Sequence, residues 1–175
     1  MIVPVGVATV RLDEAIPLNS LVAESGHVDI MQLLINNGAV MERDAYGMTT
    51  LVSAAVVGHK NVVEYLIGRP SCSLEERINA LELLGATYID RKHNLVEGLR
   101  LWERATRDRS VDSEILVPKI VQCSPVATML DTNEFRTLDE LRGMADNPNE
   151  IRVQALLVRE RILGAAHPET SYLLR

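Results

Sequence analysis

The side chains in this sequence that could do chemistry are few, and their spacing argues against a reactive centre. His27 and His59 follow Gly26 and Gly58 in matching contexts, 32 residues apart, so each sits in the turn of its own copy of a repeated stretch. An imidazole in that slot is read as bonding backbone groups between two helices, not as a metal ligand or general base. Cys72 and Cys123 form no CxxC pair and no ligand spacing, and read as reduced packing thiols. There is no phosphate-binding glycine loop, dinucleotide fingerprint, HExxH or nucleophile elbow. Carboxylates are abundant but fall at helical spacing on polar faces, so no pair stands out as an acid/base couple. The expectation is a non-catalytic protein with no catalytic, cofactor-binding or metal residues and no cofactor.

The elements behind those histidines carry the main signal. Gly26-His27-Val28-Asp29-Ile30-Met31-Gln32-Leu33-Leu34-Ile35 is echoed by Gly58-His59-Lys60-Asn61-Val62-Val63-Glu64-Tyr65-Leu66-Ile67 at a constant offset of 32 residues. Self-similarity near 33 residues marks ankyrin repeats, in which each unit is a helix pair that buries its faces only against neighbouring units. The spacing predicts an inner helix over 17–25 and an outer helix over 28–36, with Ile30, Met31, Leu33 and Leu34 as one wide apolar stripe. Gly26 and Gly38 supply left-handed helix ends. In the second unit Thr49 or Thr50 caps a helix running to Val57, and Val62, Val63, Leu66 and Ile67 form the outer stripe. The small residues of 52–57 allow inner helices to approach closely.

Beyond Pro70 the pattern changes. Ser73-Leu74-Glu75-Glu76 is a capping box opening a helix through Ile78, Leu81 and Leu84 to Gly85. Leu81-x-x-Leu84-Gly85-x-x-Tyr88, followed by Gly98, Trp102 and Ala105, has the spacing of a tetratricopeptide helix pair in which glycine lies at the crossing. Trp102 is read as core, and the charges of 100–109 as a solvated face. A short helix with an ordered connector is expected within 110–137, then a helix over 138–144. Asp146-Asn147-Pro148 stops that helix and starts one over 149–163. On this last helix Ile151, Ala155, Val158 and Ile162 face inward and Arg152, Arg159, Glu160 and Arg161 face solvent. His167-Pro168 turns into a further helix, and its early stop at Arg175 suggests part of a longer chain.

Composition agrees with stacked helices. The chain has 175 residues, 47% hydrophobic and only 3% aromatic, with a net charge of −6. That balance disfavours a nucleic-acid partner held through phosphates. No apolar run reaches the ~18 residues of a membrane span, and residues 1–10 lack a basic leader region. A cytoplasmic location is expected, with the nucleus as the alternative. The fold class is all-α: an irregular arm over 1–16, two ankyrin repeats over 17–70, and tetratricopeptide-like helices over 71–175, together an α-solenoid. With no neighbour before the first unit, Leu18, Leu21 and Val22 are expected to be poorly covered and the stack marginal in stability.

Several stretches resemble the Fem (feminization) family of ankyrin proteins, in its A and C branches. They are Ala23-Glu24-Ser25-Gly26, Asp29-Ile30-Met31, Tyr46-Gly47-Met48-Thr49, 77–87 (Arg77-Ile78-Asn79-Ala80 through Gly85-Ala86-Thr87), 152–164 and His167-Pro168-Glu169-Thr170-Ser171-Tyr172. The resemblance implies the substrate-recognition subunit of a cullin-two RING ubiquitin ligase, which captures proteins by their C-terminal peptides; in the nematode the family acts in sex determination. An acidic receptor suits the arginine-bearing tails such proteins bind. Residues 1–19 do not look like the family's preceding repeats, which hold most of its peptide pocket, so no pocket residue is carried over. The elongin-binding box Leu-x-x-x-Cys-x-x-x-Leu is not met, since Gly68 and Lys119 stand four residues before the two cysteines. Elongin and cullin partners are implied only where the full protein supplies that box. The alternative is an ankyrin scaffold that binds a protein without delivering it to a ligase.

Overall fold

The structure, a computed structural model, describes residues 18–39, 41, 43–44, 46–111, 114–115, 117–119, 127 and 130–171. Residues 1–16 and Cys123 lie outside that set. The helix pairs begin with α1 (Leu18–Ser25) and α2 (Val28–Asn36), then α3 (Thr50–Val57) and α4 (Lys60–Ile67). The longer helices α5 (Leu74–Asp90) and α6 (Leu95–Arg109) follow, then α7 (Leu138–Gly143), α8 (Pro148–Leu163) and α9 (Pro168–Ser171).

The helix ends follow from local chemistry. Thr49 Oγ1 accepts from Val52 N, and Gly58, at φ +87°, ends α3 in the left-handed region. Ser73 and Glu76 form the reciprocal capping box of α5. Thr137 and Glu140 form a second capping box on α7, and Asn147 caps α8 ahead of Pro148. α5 runs five residues past Gly85, to Asp90.

One apolar core joins the two kinds of helix pair. It runs from Val22 and Ala23 through Met31, Ala54, Ala55, Val62, Val63, Leu66 and Ile67 into Ile78, Leu81, Leu84 and Leu101. The fully buried Ala54 and Ala55 let α3 sit close to its neighbours. Gly85 and Gly98 make a second close approach: a Cβ on Gly85 would stand 2.5 Å from Trp102 Cδ1, and one on Gly98 would stand 2.9 Å from the Gly85 carbonyl. Trp102 is fully buried, its indole N–H donating to the Glu82 carbonyl at 2.8 Å. A second cluster of Ala86, Ile89, Trp102, Phe135, Leu141, Ile151, Ala155 and Val158 seats α7 and α8 on this pair.

Three expectations are corrected here. Val22 is 7% exposed and belongs to the core; the side chains of Leu18 and Leu21 lie outside the described set. On α2 the inward residues are Met31, Leu34 and Ile35, whereas Ile30 and Leu33 are exposed. At ~100° per residue, Ile30 and Leu33 lie to one side of the stripe centred on Met31 and Leu34. Arg109, Arg159, Glu160 and Arg161 are buried or half-buried, because carboxylates from distant parts of the chain meet the arginines. Within 110–137, where a short helix and a connector are expected, Glu114–Ile115 pairs antiparallel with Ser110–Val111, and Ala127 and Leu130 are helical.

Candidate protein-interaction surface

His59 and His27 occupy equivalent slots with different surroundings. The His59 Nε2 lies 2.6 Å from the Glu24 carbonyl in the preceding unit, and its ring packs where a side chain on Gly26 would stand. The imidazole thus ties one repeat to the next. His27 is exposed. The same contrast holds for the outer helices: Val62 is fully buried, and its counterpart Ile30 is 45% exposed. Leu66 and Ile67 are buried where Leu34 and Ile35 are half-buried. Among the described residues, the α1–α2 edge therefore presents apolar surface that the next unit covers in its own copy.

The turn ahead of α3 is ordered by one side chain. Asp44 Oδ1 accepts from the backbone N–H groups of Tyr46 and Met48, both at 2.9 Å, and the Arg43 guanidinium donates to the Gly47 carbonyl at 2.7 Å. Gly47, at φ +77°, lets the chain reverse there. This holds Tyr46 two-thirds exposed, its ring edge-on to His167 with centroids 5.5 Å apart. Met41 and Val57 add exposed apolar area. An aromatic ring on a preorganised turn is the kind of group that anchors a protein partner.

The α5–α8 joint is held by charge. Glu82, fully buried on α5, accepts from Arg109 Nε and Nη2 at 3.1 and 2.8 Å, and also from Arg161. Lys119 lies 3.3 Å from it and 2.8 Å from Glu134, which Arg161 grips through Nε and Nη2. Burial pushes the Glu82 carboxyl upward, but Lys119, Arg161 and Arg109 outweigh it and hold it down at about 2. On the other side, the fully buried Arg159 forks onto Asp90 and reaches Thr87 Oγ1, which donates to the Ala55 carbonyl of α3. Sequence spacing gives no hint of these clusters beyond the capping carboxylates beside them. Cys72 is half-buried, and burial raises its thiol pKa, so it has no mark of a nucleophile. Among the described residues no group of histidine, cysteine and carboxylate side chains could hold a metal ion, and no helix is long and apolar enough to cross a membrane.

Stacked helix pairs, a histidine tying one repeat to the next and an exposed aromatic turn define a helical-repeat protein of the ankyrin class. The family model described as Ankyrin repeats (3 copies) matches residues 5–78. Protein fem-1 homolog C of Homo sapiens is 46% identical over 147 residues, 84% of this chain and 24% of that protein. Protein fem-1 homolog A of Danio rerio is 47% identical over 138 residues, 78% of this chain and 22% of that protein. The Drosophila melanogaster protein fem-1 homolog CG6966 is 49% identical over 139 residues, 79% of this chain and 20% of that protein. The aligned part of the chain belongs to the Fem ankyrin-repeat family, and it spans less than a quarter of the length of these relatives. It is an interaction repeat of the kind that binds other proteins.

Proposed function

We infer that this chain works as part of a substrate receptor: its ankyrin surface captures the C-terminal peptide of a protein, as the Fem resemblance implies, for ubiquitination by a cullin-two RING ligase. The observation that carries this reading is the turn held by Asp44 that displays Tyr46, with Met41 also exposed, within a Fem-type segment. The net charge of −6 favours peptides bearing arginine near the end. Ligase docking rests on an elongin box outside Cys72 and Cys123. The working organisation is an arm over 1–16, two ankyrin repeats over 17–70 and a tetratricopeptide-like region over 71–175, acting in the cytoplasm or the nucleus.

The alternative, a scaffold that binds protein without ligase delivery, draws support from the box residues this sequence lacks. Co-purification with recombinant elongin and cullin-two separates the two readings. Capture of both by the full-length protein supports the receptor; peptide binding without either supports the scaffold. Neither peptide binding nor capture removes both.

A further inference from the structure

We propose that the cavity beside the buried ion cluster, between α5, α6 and α8, binds a small carboxylate. The cavity is about 160 Å³, room for a carboxylate on a short aliphatic stem and several times the ~30 Å³ share of one water. Arg109, Arg161 and Asn79 line its polar side; Val117, Pro118 and Ile162 line its apolar side.

Three observations point to an anion. The first is charge. Among the described residues the cluster contains three cations, Arg109, Lys119 and Arg161, and two anions, Glu82 and Glu134, all with side chains no more than 17% exposed. With all three cations protonated, the two carboxylates leave one positive charge over among the described residues, where solvent screens it poorly. The second is donor supply. Arg109 uses Nε and one N–H of each Nη on Glu82 and the Val117 carbonyl. Arg161 uses Nε, both N–H groups of Nη2 and one of Nη1, on Glu134, Glu82 and the Asn79 side-chain Oδ1. Of five N–H donors on each guanidinium, two on Arg109 and one on Arg161 have no partner among the described residues. The third is shape. Planar forks match a carboxylate's two oxygens, and the Val117, Pro118 and Ile162 wall suits an aliphatic stem better than a bare phosphate. Glu75 stands exposed at the rim, without an ion pair among the described residues, and repels an incoming anion.

The test titrates the protein with propionate at constant ionic strength, reading the melting midpoint and heat of binding. Saturable binding with a rise of about 2–4 °C is expected, without effect from propionamide or chloride. Glu75→Gln should bind propionate about three-fold more tightly, the effect of one exposed charge. Asn79→Asp places a carboxylate against Arg161, so it should melt higher without ligand and lose the propionate response. A capped peptide carrying one glutamate that displaces propionate identifies a partner's acidic side chain as the source; propionate binding without displacement identifies a free carboxylate. An unsaturable response, an equal response to propionamide or chloride, or no change in Glu75→Gln overturns the site. Should Asn79→Asp melt lower or not fold, no positive charge is left over and the proposal falls. The lining does not include Tyr46 or Met41, so failure here leaves the receptor reading untouched.

Discussion

Glu82 joins three cations from separate parts of the chain, Arg109, Lys119 and Arg161. Its carboxyl is held at about 2 in the folded protein, below the ordinary 4.5, so the ion cluster contributes its full stability above the unfolded value and loses it as pH falls from about 4.5 toward 2. Urea unfolding across pH 2–7 should show that loss, and Glu82→Gln should cost about 3–5 kcal/mol at pH 7 while flattening it. The histidines offer a matched pair. His59→Ala should cost about 0.5–1.5 kcal/mol through the bond to Glu24, and His27→Ala close to nothing, by the same unfolding assay. The sequence marks His59 because its slot recurs with the repeat, although its partner Glu24 lies 35 residues away, and it marks Ser73 and Glu76 because that cap is local. It misreads Arg109, Arg159 and Arg161 as solvated because their partners Glu82, Asp90 and Glu134 lie 27 to 79 residues away, and helical spacing shows only a polar face.

At the scale of elements, the two outer helices are one motif in two settings. Val62→Ala should destabilise by about 1–3 kcal/mol, whereas Ile30→Ala should stay within about 0.5 kcal/mol; calorimetry of both variants checks the difference. The glycine crossing is the other rigid point. Gly85→Ala drives a methyl into Trp102 and the Gly98 carbonyl and should cost about 1–3 kcal/mol, with a change in tryptophan fluorescence. That crossing is readable in advance, since a glycine pair with an aromatic at helical spacing has one packing solution. The 110–115 stretch is not: a two-residue ladder, steadied by Arg109 gripping the Val117 carbonyl, has too little periodicity to announce itself. Nor can the repeat pattern say which part of the α2 stripe is covered, because that depends on the neighbouring unit.

Across the whole molecule, a continuous core passes from ankyrin pairs into the longer helices, so the stack behaves as a chain of nearest-neighbour contacts. Adding an ankyrin unit ahead of α1 that covers Ile30 and offers a carbonyl to His27 should raise the melting midpoint; an unchanged midpoint would remove the unfilled-edge account. The architecture and the family resemblance are both legible from the 32-residue echo and the 77–87 and 152–164 stretches. The partner is not, because surface recognition depends on which side chains the turns expose. The central claim is that the exposed ankyrin surface binds a protein's C-terminal peptide. It is tested most directly by titrating a defined library of arginine-bearing C-terminal peptides against the protein and against a Tyr46→Ala, Met41→Ala double variant of equal melting midpoint. The expected result is saturable binding that the double variant loses; no binding by either, or equal binding by both, would contradict it.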